Sequence, residues 1–108
     1  MDNNIESKVD QAIINNYKET FGERHVVIKS IEEMGELIQV LSKWLDNPNK
    51  VLEADICEEI SHVNIFVGEC LPGIFSKKTI NYYHNERVSR LLNKVDSYQK
   101  SLKNGKNQ

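Results

Sequence analysis

Apolar residues recur every three or four positions along almost the whole chain, and no stretch shows the strict alternation of an amphipathic strand. This periodicity predicts four helices, over about residues 5–17, 23–45, 51–71 and 76–102. Turn-forming residues separate them: Phe21-Gly22, the run Asp46–Asn49, and Pro72-Gly73. The predicted fold is all-α, a four-helix antiparallel bundle that oligomerisation completes. The predicted inner face of the last helix comprises Ile80, Tyr83, Val88, Leu91, Val95, Tyr98 and Leu102.

The chain length limits how many domains can form. Its 108 residues predict a single helical domain over 1–103, followed by a disordered tail over 104–108. A net charge of -2 argues against general attraction to polyanions, so neither nucleic acid nor a membrane is an expected partner. The sequence predicts neither a membrane span nor a secretory leader. Cys57 and Cys70 fall in apolar helical patterns, which predicts buried, reduced thiols and a cytoplasmic location.

Two acidic side chains fall where the helical pattern otherwise places apolar ones. At about 100° per residue, Glu33 lies inside the apolar arc of the second helix, and Glu59 lies inside that of the third. Three residues further along, Glu36 and His62 each project about 60° to one side. The two helices therefore repeat one layout, an inward carboxylate followed by a second polar group.

Burying an unpaired carboxylate costs several kcal/mol, so such groups must be neutralised by protonation, by basic partners or by a cation. The matching spacing of Glu33/Glu36 and Glu59/His62 favours a cation, because the two pairs can project from facing helices toward one point. Oxygen-rich ligands of this kind favour Mg²⁺ or Mn²⁺. The competing interpretation is that these are solvated surface glutamates of an acidic bundle.

The two acidic segments together resemble a known family. EEMGEL at 32–37 and EEISHV at 58–63 are similar to the EExxE…ExxD signature of the all-α NTP pyrophosphatases, the MazG-like superfamily. The apolar stretch NIFV at 64–67 and the segment RVSRL at 87–91 also resemble that family, as do Phe21-Gly22 and His25 ahead of the second helix. The resemblance covers roughly residues 17–95, which is most of the chain.

The resemblance implies an activity and a set of site residues. Members of the family use Mg²⁺ to hydrolyse nucleoside triphosphates, often deoxynucleotides, to the monophosphate and pyrophosphate, and they act as dimers or tetramers. Carried over to this chain, Glu33, Glu36 and Glu59 would be metal ligands, and Glu32 or Glu58 would accept a proton from the attacking water. The expected role is sanitation or control of the (d)NTP pool by a homodimer or homotetramer.

One residue departs from the signature, because His62 stands where the family has aspartate. Three outcomes stay open. Asp55, which projects to the same side as Glu59, would replace the missing ligand. The site would prefer a softer metal such as Mn²⁺. Or the chain would be a catalytically impaired relative that binds nucleotides or other proteins. A fourth interpretation, a di-iron carboxylate site, rests on the spacing of Glu59 and His62 alone and would need a second copy of that motif.

Three further residues are candidates for contact with the substrate. Arg87 and Arg90 on the last helix carry guanidinium groups, which suit phosphate oxygens. His25, near the start of the second helix, can approach a base or a phosphate. A solvated helix face and a capping histidine are the competing interpretations of these residues.

Overall fold

The computed structural model of the chain describes the backbone of residues 3–106 and the side chains of residues 10–105. Within that range there are helices and turns but no strand, so the predicted all-α fold is confirmed. The elements in chain order are α1 (Asn3–Phe21), α2 (Glu23–Asp46), a 3-10 turn (Pro48–Lys50), α3 (Glu53–Val63), a π-helical segment (Asn64–Cys70), α4 (Leu71–Ile74) and α5 (Lys77–Lys106).

The third predicted helix corresponds to α3, the π-helical segment and α4, which follow one another without a break. In the π-helical segment the hydrogen bonds reach back five residues, as in the bond from the Leu71 N–H to the Phe66 carbonyl. The helix was predicted to stop at Pro72-Gly73, but it ends at Ile74. Pro72 lies just after the π-helical segment, near the end of this helical run.

The break between α1 and α2 is a single residue, Gly22. Its φ of 87° and ψ of 162° place it in a region that residues with a side chain rarely adopt. The Gly22 N–H still donates to the Lys18 carbonyl at 2.8 Å, so α1 is hydrogen-bonded up to the break. The predicted break at Phe21-Gly22 is therefore confirmed, and glycine is the residue that permits it, but the helix runs to Phe21, beyond its predicted end at about residue 17.

A small apolar core holds α1, α2 and the π-helical segment together. It consists of Ile14, Val26 and Cys70, and the half-buried side chains of Tyr17, Phe66, Leu71 and Ile74 pack against it. The prediction that both cysteines are buried is correct for Cys70 and wrong for Cys57, which is exposed. Cys57 lines an open groove of about 470 Å³ between α2 and α3, and nothing in the described part of the chain fills that groove.

The chain divides into two compact units, one ending at Phe75 and the other beginning at Ser76. The second unit consists of α5, whose side chains from residue 77 to residue 105 are all exposed. The seven apolar residues predicted as its inner face are among these exposed residues. The single domain predicted over 1–103 stays a prediction. The disordered tail predicted over 104–108 begins inside α5, which is helical to Lys106, and its last two residues lie outside the described range.

Over residues 3–106, none of the helices combines the length and the apolar character that crossing a bilayer requires.

Candidate metal site

Among the side chains that the structure describes, over residues 10–105, Glu33 is the buried acidic one, with only 4% of its surface exposed. It lies on α2 on the side of Val26 and Ser30, which are 0% and 1% exposed. Ser30 is satisfied within the helix, because its hydroxyl donates to the Val26 carbonyl at 2.8 Å. Glu33 Oε2, by contrast, has no hydrogen-bond partner. Its inward position agrees with the apolar arc predicted from the sequence.

Glu33 belongs to a cluster of four side chains from α2 and α3, the carboxylate cluster. One ligand atom from each of Glu33, Glu36, Glu59 and His62 lies within 4.8 Å of the other three. Ligands of Mg²⁺ stand about 2.1 Å from the ion, so two on opposite sides of it are about 4.2 Å apart. A small inward movement is therefore enough to bring the four atoms around one cation. Of the two candidates for the fourth position, it is His62 and not Asp55 that stands with the three glutamates.

Three atoms of this cluster are buried without a hydrogen bond: Glu33 Oε2, Glu59 Oε2 and His62 Nδ1. His62 Nδ1 is 3.2 Å from Glu33 Oε2 and 3.7 Å from Glu59 Oε2, but neither contact has the geometry of a hydrogen bond. Leaving a buried polar atom unpaired costs roughly 1–3 kcal/mol. A cation coordinated by all three atoms would remove that cost, so the donor set of three carboxylates and one imidazole fits a divalent metal.

Lys29 also contacts the cluster, although it is not among the predicted site residues. Its ammonium is 3.2 Å from Glu33 Oε1 and 3.7 Å from Glu32 Oε2. The hydrogen bond and the charge attraction from Glu33 raise the pKa of Lys29 above its ordinary value, so it stays a cation. In the sequence, the signal for this contact was the position of Lys29 four residues before Glu33, where the two side chains are neighbours on one helix. One oxygen of Glu33 is thus held by Lys29, which leaves the other for the cluster.

Glu36 is the carboxylate of the cluster whose ionisation its neighbours disfavour. The negative charges of Glu33 and Glu59 raise the pKa of Glu36 above its ordinary value. A raised carboxyl pKa means that the folded protein disfavours ionised Glu36. The resulting penalty is absent below the ordinary carboxyl pKa and appears as the pH rises through the raised one. Above the raised pKa of Glu36, the metal-free cluster therefore repels itself.

The repulsion predicts that Glu36→Gln has opposite effects with and without metal. Without metal, the variant should have a higher Tm at pH 7 than the wild type, because a neutral amide removes the repulsion. With Mn²⁺, its Tm should rise less than that of the wild type, because a ligand has been lost. Thermal unfolding with and without Mn²⁺ measures both effects. Glu19→Gln, an exposed change on α1, is the matched control and should alter neither value.

The remaining predicted residues lie at or beyond the rim of the cluster. Glu58 is exposed, with Oε1 3.8 Å from His62 Nε2, and Glu32 is exposed and paired with Lys29. Asp55 lines an adjoining cleft of about 230 Å³, together with Glu36, Glu58 and Glu59.

The three predicted substrate contacts are on other parts of the chain. His25 is exposed near the start of α2, where its Nε2 is 2.7 Å from the Tyr17 hydroxyl. Arg87 and Arg90 are exposed on α5, in the second unit. The structure thus groups four of the predicted metal ligands, with Asp55 beside them in the adjoining cleft.

A scan against family models and searches of curated proteins and of solved structures found no match to this chain.

Proposed function

We propose that the protein is a metal-dependent nucleoside triphosphate pyrophosphohydrolase, which cleaves (d)NTP to (d)NMP and pyrophosphate. The observation that carries the proposal is the convergence of Glu33, Glu36, Glu59 and His62, with three of their atoms buried and unpaired. The same residues supply the two segments that resemble the MazG-like signature. A cluster of three carboxylates repels a triphosphate unless a cation stands between them, and so the site requires a metal for this substrate.

The chain's own residues would bind the cation and manage one proton. Glu33, Glu36, Glu59 and His62 would hold Mg²⁺ or, given the imidazole, Mn²⁺. When bound, such an ion neutralises phosphate charge and makes bound water more acidic. Glu58 and Glu32 lie at the rim, next to His62 and Lys29, where either carboxylate can accept the proton of the attacking water. Burial and Lys29 fix the orientation of Glu33.

His62 supports a second candidate, a nucleotide-binding or protein-interaction relative that lacks catalysis. Its Nδ1 lies close to carboxylate oxygens of both Glu33 and Glu59. A protonated imidazole at this point would itself neutralise part of the cluster without any metal. This candidate predicts that the cluster neither binds a divalent ion nor turns over a nucleotide.

Pyrophosphate release separates the two candidates. The purified protein would be assayed with a panel of ribo- and deoxynucleoside triphosphates, once with Mg²⁺ and once with Mn²⁺, and Mn²⁺ binding would be measured by calorimetry. We expect metal-dependent release from at least one nucleotide. If no nucleotide is turned over and no Mn²⁺ binds, the hydrolase proposal is wrong and the non-enzymatic candidate stands.

We also propose that α5 completes a four-helix bundle in a homodimer or homotetramer, which acts on the nucleotide pool of the cytoplasm. Charge supports this proposal: α5 carries eight Lys and Arg against two Asp and Glu, which leaves six basic and fourteen acidic residues for the rest of the chain. Spacing supports it too, because exposed apolar residues follow a repeat of three and four on both α2 and α5. These residues are Ile31, Met34, Ile38, Leu41 and Leu45 on α2, and Val88, Leu91, Val95, Tyr98 and Leu102 on α5.

The assembly proposal predicts that Leu91→Asp dissociates the oligomer. A charge in the middle of the α5 repeat would have to be buried without a partner, which is strongly unfavourable. Ser89→Asp adds the same charge on the opposite side of α5 and should leave the assembly intact. Sedimentation at micromolar concentration measures both. A monomeric wild type, or equal behaviour of the two variants, would contradict the proposal.

A further inference from the structure

Four aromatic rings gather where α1 meets α2, away from the carboxylate cluster. Tyr17 and Phe21 lie at the end of α1, His25 near the start of α2, and Phe66 in the π-helical segment. The Phe21 and His25 rings are stacked, with centroids 5.0 Å apart and planes at 28°. Tyr17 contacts the other three, with centroids 4.8 Å from Phe21, 5.7 Å from His25 and 5.8 Å from Phe66. The break at Gly22 brings the first three rings together.

The rings form an inner pair and an outer pair. Tyr17 and Phe66 are half-buried and pack against the apolar core, so they support the cluster from within. Phe21 is 55% exposed although it is a large apolar residue, and His25 is exposed as well. Burial in the core therefore explains the inner pair and leaves the outer pair unexplained. An exposed aromatic pair on a fixed support is suited to stacking against a planar ligand.

A hydrogen bond fixes the histidine of the outer pair. The Tyr17 hydroxyl and His25 Nε2 are 2.7 Å apart. When the hydroxyl donates to this nitrogen, the imidazole carries its proton on Nδ1, which is then a donor for an acceptor at the edge of a ligand. With this tautomer, the outer pair offers both a stacking surface and one directed hydrogen bond.

The position of the outer pair relative to the metal site fits a nucleotide. His25, Lys29 and Glu33 follow one another at four-residue intervals on α2, and so the outer pair begins about 12 Å along the helix from Glu33. On the facing helix, Glu59, His62 and Phe66 run in the same way from the carboxylate cluster to the aromatic rings. A cationic Lys29 lies between the two ends, where the phosphates of an extended nucleotide would pass.

We propose that Phe21 and His25 form a stacking platform for the base of a nucleotide whose phosphates are bound at the carboxylate cluster. The inference rests on the proposed function for its ligand, and it adds where the base lies and which residues bind it. Because stacking is tolerant of base identity, Phe21 contributes affinity, and any preference among bases arises from the hydrogen bond of His25.

Steady-state kinetics of Phe21 variants test the platform. We expect Phe21→Leu to raise the KM for a nucleoside triphosphate by about 5- to 150-fold with kcat nearly unchanged, and Phe21→Trp to keep the wild-type KM. Inorganic tripolyphosphate has no base, so its inhibition constant should be the same in Phe21→Leu and in the wild type. Phe75→Leu is the matched control, because Phe75 is an aromatic residue of similar exposure, 57%, outside the aromatic cluster.

Two results would overturn the platform while leaving the hydrolase intact. One is an equal KM for Phe21→Leu and Phe75→Leu. The other is a parallel rise in the inhibition constant of tripolyphosphate, which would mean that phosphate binding was damaged. If circular dichroism shows that Phe21→Leu is unfolded, His25→Gln takes its place, with His84→Gln as its control and the same expected KM effect.

A wild type without any pyrophosphate release would contradict the proposed hydrolase, and the platform would then be decided by binding alone. Histidine ring signals would be followed by NMR during titration with the four deoxynucleoside monophosphates. A shift of the His25 signals without a shift of those of His84 supports the platform. Equal or absent shifts overturn it.

Discussion

Replacing Glu33 with glutamine is expected to eliminate both divalent metal binding and pyrophosphate release. Glu33 is the most buried member of the cluster, and each of its oxygens has a different task. Oε1 contacts Lys29 at 3.2 Å, and Oε2 faces the other ligands without a hydrogen bond. The amide keeps the size of the side chain but removes its charge and turns one oxygen into a donor. Loss of outer-shell partners already costs about 10–100-fold in metal affinity, so losing this ligand should cost about 100-fold or more.

Calorimetry with Mn²⁺ and an assay of pyrophosphate release measure these two losses. Glu19→Gln makes the same chemical change on the exposed side of α1 and should retain wild-type values. Circular dichroism shows whether Glu33→Gln remains helical, so that a folding defect is separated from the loss of a ligand. A folded Glu33→Gln protein that binds Mn²⁺ and releases pyrophosphate like the wild type would refute the proposed site.

His62→Asp is expected to strengthen Mg²⁺ binding about tenfold or more and to raise Mg²⁺-dependent activity. The substitution exchanges a neutral nitrogen ligand for a charged oxygen ligand, which Mg²⁺ prefers. It also places a further negative charge beside Glu33 and Glu59, and it removes the imidazole that lies 3.2 Å from Glu33. The metal-free protein should therefore become less stable as its affinity for Mg²⁺ increases.

The two opposed effects make this substitution a sensitive test. Thermal unfolding of the variant should show a lower Tm than the wild type without metal and a larger rise in Tm on addition of Mg²⁺. His84→Asp on α5 introduces the same residue outside the cluster and should reproduce neither effect. Unchanged Mg²⁺ binding in His62→Asp would mean that position 62 is not a ligand position.

The sequence predicted the inward glutamates because their placement depends only on local helical geometry. Glu33 and Glu59 lie on apolar arcs, and an arc buried in a helical protein takes its polar members with it. The breaks at Gly22 and at the run Asp46–Asn49 were predicted for a similar reason, since these residues interrupt the helix through their own backbone preferences. Features that depend only on a residue and its near neighbours in the sequence could thus be predicted.

Features that depend on several elements were missed. The exposure of Cys57 depends on whether the groove between α2 and α3 is covered. The periodicity of α3 carries no information about that. The aromatic cluster draws on α1, α2 and the π-helical segment, and its stacked pair exists because Gly22 sets the direction of α2. Lys29 was visible as a neighbour of Glu33 in spacing, but its role became clear only from the 3.2 Å contact.

The π-helical winding of residues 64–70 determines which neighbours Cys70 contacts at the end of that segment. In an uninterrupted α-helix Cys70 would stand about 20° from Glu59, on the side that faces the carboxylates. A π segment accommodates roughly one extra residue, so the residues after it are rotated about 100° less around the helix axis than in a regular α-helix. Cys70 thereby leaves that side and reaches Ile14 and Val26. If residues 64–70 were wound as a regular α-helix with no residue removed, the Cys70 thiol would turn back toward the carboxylates. Deleting one residue from this segment would also restore α-helical winding, but Glu59 and Cys70 would keep their present neighbours.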